Sequence, residues 1–248
     1  MSSDPFTEAR LHAMRKIAQA PVLQRPFPHI WIEGIFPADF YAAIQQNLIG
    51  DEGYRPLIET GRVGRAYSPA RLSLFPGDLD TLAASDEQKF FWGKLFDAFI
   101  QPEFPQLWLQ RFAPAIRAHF AKNSQMASLR LTSEILLYRD LETYALGPHT
   151  DSPAKVVSVL IYLPSDDRSE ELGTSFYQPK DRGFECAGGP HHPFEGFDRV
   201  ATMPFRPNSL LAFPKTRKCF HGVEPVFGER SRRDLLLFDI RFKKSPVN

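Results

Sequence analysis

The sequence contains little cysteine. Its two cysteines, Cys186 and Cys219, are too few for the disulfide framework that stabilises small secreted domains. We therefore interpret both as ordinary thiols in a reducing compartment.

An excess of charge and a long apolar run are also lacking. Thirty Lys and Arg residues balance 29 Asp and Glu residues, which leaves a net charge of +1. No overall field therefore attracts nucleic acid or an anionic membrane. No segment approaches the roughly 18 apolar residues of a membrane span, and residues 1–20 hold no apolar signal core. We expect a soluble, cytoplasmic protein that binds neither nucleic acid nor membrane.

Apolar residues at helical spacing are frequent in the first half of the chain. Trp92, Leu95, Phe96 and Phe99 follow the i, i+3, i+4, i+7 pattern of a core-facing helix. The segment 108–120 continues in steps of four, and Pro114 is expected to kink or split it. Short β segments are expected near 29–33 and 71–75. We predict that residues 1–125 form a mostly helical support region within a single domain of 248 residues.

Strand patterns dominate from about residue 126 onward. β-branched, apolar or alternating segments are separated by Gly, Pro, Asn and Asp clusters. They lie at 131–140, 147–150, 155–164, 173–179, 199–203, 208–214, 217–226 and 232–242. About eight strands with hairpin-like spacing predict an antiparallel jelly roll, whose two sheets close over a cavity. The fold class is therefore mainly β with N-terminal helices, which cover one face of the barrel.

One histidine stands in an H-x-D triplet, within the sequence GPHTDSP. On an extended backbone, residues i and i+2 point to the same side, so His149 and Asp151 can share a metal ion. His221 lies 70 residues after Asp151, on a late strand that a jelly roll can bring beside an early one. Two histidines and one carboxylate on one face of an ion, with the other face open, are typical of non-haem iron(II) oxygenases.

The remaining histidines fit a ligand role less well. His191 and His192 lie in a turn-rich stretch that we interpret as a surface loop. We interpret Cys219 as a small core residue and not as a fourth ligand. The histidines of the helical half are expected to be ordinary interfacial residues: His12, His29 and His119.

Three arginines precede the last apolar strand. Arg230, Arg232 and Arg233 come about ten residues after His221. A guanidinium at the mouth of a barrel binds a carboxylate bidentately. A solvated basic turn is the alternative interpretation of these three residues.

The order of these elements resembles the 2-oxoglutarate/iron(II) dioxygenase superfamily, in particular its prolyl-hydroxylase-like branch. The resemblance covers about 131–242. It consists of a strand ending in Tyr138, then PHTD, VLIYLP, ELGTSFY, PNSLLAFP, HGVEPV and an arginine-led final strand. It implies a double-stranded β-helix that binds iron(II) through His149, Asp151 and His221, with 2-oxoglutarate as co-substrate and O2 as oxidant. In addition, it implies that Arg232 anchors the distal carboxylate and that Tyr138 and Tyr162 line the co-substrate pocket.

The chain departs from the family pattern at two places. Asp234 stands where a hydroxyl residue usually assists the arginine, and its carboxylate would repel the co-substrate unless Arg230 or Arg233 compensates. Leu172 and Gly173 stand where the family often has a glycine pair.

The reaction implied by the resemblance is hydroxylation of an unactivated C–H bond, with release of succinate and CO2. The substrate is a small molecule or a peptide. Asp151 argues against a halogenating variant, which vacates that position for halide. Two alternatives remain: a jelly-roll metalloenzyme that does not use 2-oxoglutarate, and a non-catalytic jelly-roll binding module. The segment 54–71 is compatible with a lid or substrate-facing segment and at least equally with a plain surface β-hairpin. The segment 183–197 is compatible with a mobile loop over the barrel mouth and equally with a simple connection.

Overall fold

A computed structural model of the protein describes residues 4–64, 67–121, 130–225 and 232–243. Its α-helices are α1 (Pro5–Gln19), α2 (Ala38–Gln46), α3 (Asp86–Phe99), α4 (Glu103–Arg111) and α5 (Ala113–Phe120). Short 3-10 helices lie at Asp51–Gly53, Leu57–Thr60, Pro76–Thr81, Glu170–Leu172 and Phe194–Gly196. No helix in these ranges has both the length and the apolar character to cross a membrane. The cytoplasmic location stays a prediction.

The strands fall into two antiparallel sheets. They are β1 (Ile30–Glu33), β2 (Arg55–Pro56), β3 (Arg71–Leu74), β4 (Leu131–Asp140), β5 (Leu146–His149), β6 (Lys155–Tyr162), β7 (Thr174–Pro179), β8 (Phe197–Met203), β9 (Ser209–Pro214), β10 (His221–Val223) and β11 (Arg233–Phe242). The larger sheet has the order β1-β9-β6-β11-β4-β3-β2, and the smaller has the order β5-β10-β7-β8. Strands β4 to β11 therefore divide four and four between the sheets, which confirms the predicted eight-stranded jelly roll.

Local sequence signals explain where the helices begin and end. The Asp4 side chain accepts hydrogen bonds from the first turn of α1, which has Pro5 at its first position. Ser85 and Gln88 form a capping box at the start of α3. Pro114 lies in the first turn of α5, after a break at Phe112 that separates α5 from α4. The predicted split of the segment 108–120 is confirmed.

The helices cover the outer face of the larger sheet. Trp92, Leu95 and Trp108 are fully buried in a cluster that also contains outward-facing strand residues such as Leu236. The ring of Phe104 on α4 meets the ring of Phe238 on β11 edge to face at 5.0 Å. Residues of alternate parity on β11 therefore face opposite ways, toward the helices or toward the interior of the barrel.

The N-terminal half also contributes strands. β1 pairs with β9, and β3 pairs with β4, so both extend the larger sheet. The predicted β segments near 29–33 and 71–75 are confirmed. The division at 125/126 falls outside the described residues, so the division into a support region and a catalytic core remains a prediction.

Candidate functional site

The two histidines of the predicted triad lie side by side on neighbouring strands of the smaller sheet. His149 ends β5, His221 begins β10, and the two residues are register partners. Their ring centroids are 4.3 Å apart. Asp151 follows two residues after His149, and its Oδ2 lies 3.8 Å from His221 Nε2. One ligand atom from each of the three buried side chains lies within 4.8 Å of the other two, so one metal ion can reach all three.

Backbone carbonyls orient both imidazoles. His149 Nδ1 lies 3.0 Å from the Gly147 carbonyl oxygen, and His221 Nδ1 lies 3.0 Å from that of Cys219. Because a carbonyl only accepts, each Nδ1 carries the proton and each Nε2 presents its lone pair. Burial lowers the pKa of both histidines, which favours the neutral form that binds metal.

The Asp151 carboxylate is held on both oxygens. Ser158 donates a hydrogen bond to Oδ2 at 2.7 Å, and Lys155 Nζ lies 3.1 Å from Oδ1. Burial raises the pKa of Asp151, but the neighbouring Lys155 charge and the histidines outweigh it and bring the pKa below its ordinary value. Lys155 also contacts Asp239 Oδ2 at 3.0 Å. The carboxylate is therefore ionised and fixed in orientation.

A cavity of about 1040 Å³ connects the triad with inward-facing residues of the larger sheet. The register of β6, β11 and β4 places these residues in successive rows. From the inner end outward, the rows are Arg233 with Asp140, then Tyr162–Leu235–Tyr138, Leu160–Leu237–Leu136 and Ser158–Asp239–Glu134. The cavity therefore has a charged inner end, an apolar middle and a charged outer end beside the triad.

The inner end is built around the Asp140 carboxylate. Arg71 binds Asp140 through two nitrogens at 2.6 and 2.8 Å. Arg233 is fully buried, donates to Asp140 Oδ2 and lies 3.5 Å from Thr174 Oγ1 through Nη2. Arg233 Nε is buried and has no acceptor among the described residues. Two guanidiniums on one carboxylate leave a net positive charge and a free donor at this end.

The two tyrosines expected near a co-substrate lie at this inner half. Tyr138 lines the cavity, and the Arg71 guanidinium lies 4.7 Å from its ring centroid. Tyr162 is fully buried and donates to Thr174 Oγ1 at 2.7 Å. Tyr162 therefore supports the cavity wall from behind Thr174.

Arg232, the residue expected to anchor the co-substrate, is not among the residues that line the cavity. Its side chain is 45% exposed and contacts Asp234 Oδ2 at 2.7 Å on the outer face of β11. Arg233 is one residue further on and points inward, because strand parity alternates. Asp234 also faces away from the cavity and pairs with Arg139 at 2.7 Å, so the expected repulsion does not arise. Arg230 lies outside the described residues.

The loop 183–197 packs against the backbone of the triad. The His192 amide donates to the Pro148 carbonyl at 2.9 Å, and the His191 ring lies 4.8 Å from the His149 ring. A Cβ at Gly188 would lie 2.2 Å from the Asp151 carbonyl oxygen. His191 lies in an exposed loop, as interpreted from the sequence, but the contact of this loop with the triad was not anticipated. Nothing in the local sequence links this loop to His149.

Sequence reasoning also missed Lys155 and Asp239. Lys155 is four residues after Asp151, and Asp239 shares inward parity with Arg233 on β11. Asp239 could have been found from strand parity once the inward face of β11 was known, whereas a register shift near Arg241 takes Lys155 out of the parity of Ser158 and Leu160. Cys219 packs in the core between the sheets, as expected, and its thiol donates to the Thr216 carbonyl.

The donor set fits a divalent transition metal and an acidic ligand. Two neutral imidazoles and one carboxylate on one side of an ion leave the opposite positions open. The buried Arg233 guanidinium, in the same cavity, suits a carboxylate that enters from the metal side. The arrangement can therefore hold a metal and a dicarboxylate together.

Solved structures match the chain along nearly its whole length, whereas no protein-family model and no curated protein sequence matches it. A prolyl 4-hydroxylase from Pseudomonas putida has 14% identity and a TM-score of 0.50, over 97% of this chain and 100% of that one. A prolyl 4-hydroxylase from Phytophthora capsici has 13% identity and a TM-score of 0.50, over 98% and 68%. An oxidoreductase of the 2OG-Fe(II) oxygenase family from Burkholderia pseudomallei has 12% identity and a TM-score of 0.48, over 92% and 89%.

At these identities the likeness to the two prolyl 4-hydroxylases concerns the fold. It extends over the helices as well as the barrel, because the match covers almost all of the chain. The protein therefore has the fold of the prolyl 4-hydroxylases, a double-stranded β-helix with helices packed against its larger sheet.

Proposed function

We propose that this protein is an iron(II)- and 2-oxoglutarate-dependent oxygenase that hydroxylates a C–H bond of a small molecule or a peptide. The observation that carries the proposal is one cavity holding both a two-histidine, one-carboxylate triad and a buried arginine with an unsatisfied donor. When bound, iron and 2-oxoglutarate supply the oxidising chemistry with O2, and the co-substrate leaves as succinate and CO2.

The triad residues would hold the metal. His149 and His221 present Nε2, because their Nδ1 atoms are bound to backbone carbonyls. Asp151 presents Oδ2, the oxygen nearest His221, while Lys155 retains Oδ1. With Oδ1 held by Lys155, Oδ2 is the carboxylate oxygen that would bind the metal.

The inner end of the cavity would bind the distal carboxylate of 2-oxoglutarate. Arg233 takes the role first expected of Arg232, because its guanidinium is buried and has a free Nε. Thr174 lies beside it, with its hydroxyl held by Tyr162. The apolar middle of the cavity, with Leu160 and Leu235, excludes water around the co-substrate's methylene groups.

Arg233 also distinguishes this function from the two alternatives. A jelly-roll metalloenzyme that uses no acidic co-substrate has no need of a buried cation at the inner end of the cavity. A binding module has no need of an oriented metal triad. The presence of both features favours the oxygenase over either alternative.

The decisive experiment is an anaerobic titration of the protein with iron(II) and 2-oxoglutarate, followed by visible spectroscopy. Chelation of the metal by 2-oxoglutarate gives a weak charge-transfer band. We expect His149→Ala to abolish this band. Arg233→Gln should raise the apparent 2-oxoglutarate dissociation constant roughly 10- to 100-fold, because a charged hydrogen bond contributes about 1.5–3 kcal/mol.

Arg232→Gln is the matched control, since it removes the same charge one residue away on the outer face. We expect it to leave the titration unchanged. Sensitivity to Arg232 and not to Arg233 would keep the function and move the anchor. No band in folded wild-type protein would refute the use of 2-oxoglutarate.

A further inference from the structure

The cavity has a second charged end, which lies beside the metal triad and is separated from Arg233 by the apolar middle of the cavity. We call this end the outer arm. It consists of Arg62, Glu134, Lys155, Asp239, Arg241 and Lys243, all of which line the cavity. Two apolar rows of the larger sheet, centred on Leu235 and Leu237, separate it from the inner end. The outer arm is therefore a site distinct from the one that we assign to 2-oxoglutarate.

The charges of the outer arm do not balance. Within the outer arm, Lys155 is neutralised by Asp239 at 3.0 Å, and its other contact, at 3.1 Å, is with the candidate metal ligand Asp151. Arg62 and Arg241 both bind the same oxygen of Glu134, at 2.5 and 3.0 Å. Two guanidiniums on one carboxylate leave one positive charge, and Lys243 adds a second. Among the described residues, the outer arm therefore carries an excess of positive charge.

The two arginines keep free donors. Each uses one terminal nitrogen on Glu134, whereas a guanidinium offers five N–H groups. Their side chains are 33% and 26% exposed, so the remaining N–H groups can reach a ligand in the cavity. We call this pair of guanidiniums on Glu134 the fork. Guanidinium groups bind carboxylate or phosphate with fixed geometry.

Contacts from distant parts of the chain hold the fork in place. Arg62 comes from the connection between β2 and β3, and its guanidinium lies 4.8 Å from the ring centroid of Phe75. Arg241 comes from β11, and Glu134 from β4. Burial raises the pKa of Glu134, but the hydrogen bonds from the two arginines outweigh it and lower the pKa, so the central carboxylate stays charged.

The fork is also close to the triad. Glu134 is the register partner of Asp239, and neighbouring strands lie about 5 Å apart. Asp239 in turn shares Lys155 with Asp151. A small molecule can therefore contact the arginines at one end and place a carbon near the metal ligands at the other.

We propose that the substrate carries a carboxylate or phosphate group that binds between Arg62 and Arg241, with its reactive C–H bond toward the triad. That the bound anion is a substrate depends on the proposed function. The anion site itself is a property of the cavity and can be tested without turnover.

The experiment uses the full chain loaded with Mn(II) and N-oxalylglycine, a redox-inert pair that fills the metal site and the inner end. Thermal unfolding is measured with matched compounds: small carboxylic acids and their amides, and phosphate monoesters and their parent alcohols. We expect stabilisation by one anion class and not by its neutral partners. Whether the carboxylates or the phosphates bind identifies the anion.

Arg62→Gln and Arg241→Gln should each raise the dissociation constant of the stabilising anion at least about 10-fold. Arg182→Gln is the control, because Arg182 is exposed and pairs with Asp198 outside the cavity lining. Arg62→Lys keeps the charge and should lose part of the affinity. Each variant is compared by its unfolding midpoint without ligand, which separates loss of binding from loss of folding.

Three outcomes would overturn the inference: no anion binds, the neutral partners bind equally well, or the dissociation constant of the anion is the same in both arginine variants as in the wild type. The 2-oxoglutarate titration separates this inference from the proposed function. Arg62→Gln and Arg241→Gln should retain the charge-transfer band, because the co-substrate anchor is Arg233. Absence of the charge-transfer band in the wild type would refute the oxygenase and leave the anion measurements valid.

Discussion

At the scale of single residues, one hydrogen bond orients the carboxylate of the triad. The Ser158 hydroxyl donates to Asp151 Oδ2, the oxygen nearest His221, at 2.7 Å. Groups that support metal ligands in this way typically change metal affinity 10- to 100-fold when they are removed. Ser158 therefore contributes to the site although it cannot be a ligand in this arrangement.

We expect Ser158→Ala to weaken Mn(II) binding by roughly 10-fold, because the carboxylate loses the bond that fixes its metal-facing oxygen. Calorimetric titration of the metal-free protein measures the change. Ser133→Ala is the matched control, since Ser133 lines the same cavity and does not contact Asp151. Equal affinities for Ser158→Ala and the wild type would show that the orientation of Asp151 does not depend on this bond.

At the scale of elements, the loop 183–197 is fitted to the triad by close backbone approach. Gly188 has a φ of +118°, and a Cβ there would collide with the Asp151 carbonyl oxygen. Gly189 has a φ of +119°, but a Cβ there would meet nothing within 4 Å. The two neighbouring glycines therefore share a positive φ and differ in their contact with Asp151.

This difference gives a paired prediction. Gly188→Ala and Gly189→Ala should each cost about 1–3 kcal/mol in the free energy of unfolding, because both hold a side chain at positive φ. Gly188→Ala should in addition weaken Mn(II) binding, since its Cβ displaces the Asp151 backbone. Urea denaturation and metal titration measure the two effects. Equal metal affinity in both variants would show that the loop adjusts without moving Asp151.

At the scale of the whole molecule, helices and barrel share one structure. The first half supplies β1 and β3 to the larger sheet, and α4 packs Phe104 on Phe238. The tryptophans, Trp31, Trp92 and Trp108, all belong to this half. Trp92 and Trp108 lie in the helices, so their fluorescence reports on the helical half, whereas Trp31 on β1 also packs against Tyr162 of the barrel. The Mn(II) site reports on the barrel.

We predict a single cooperative unfolding transition in urea, with the same midpoint by tryptophan fluorescence and by loss of Mn(II) binding. Phe104→Ala should lower both midpoints together, because removing this buried ring costs about 3–5 kcal/mol. Separate midpoints in the wild type would instead divide the chain into two folding units near residue 125.

Much of the fold could be predicted from residue patterns alone. The strand predicted at 131–140 has the bounds of β4, and the pattern 92–99 lies on the buried face of α3. These features depend on local periodicity, which the sequence carries directly. The same holds for His149 and Asp151, since i and i+2 on an extended backbone share a side whatever surrounds them.

Short-range spacing therefore predicted the elements and the pair His149 and Asp151, whereas the jelly roll and His221 were predicted from the number and order of the strands and from the family resemblance. Tertiary structure turned Arg233 toward the cavity and Arg232 toward the outer face. The strand that follows them is apolar on both faces, so its inward side depends on where the helices pack. Tertiary structure also brought His191 to His149 and joined Arg62, Glu134 and Arg241, because these contacts link segments far apart in the chain.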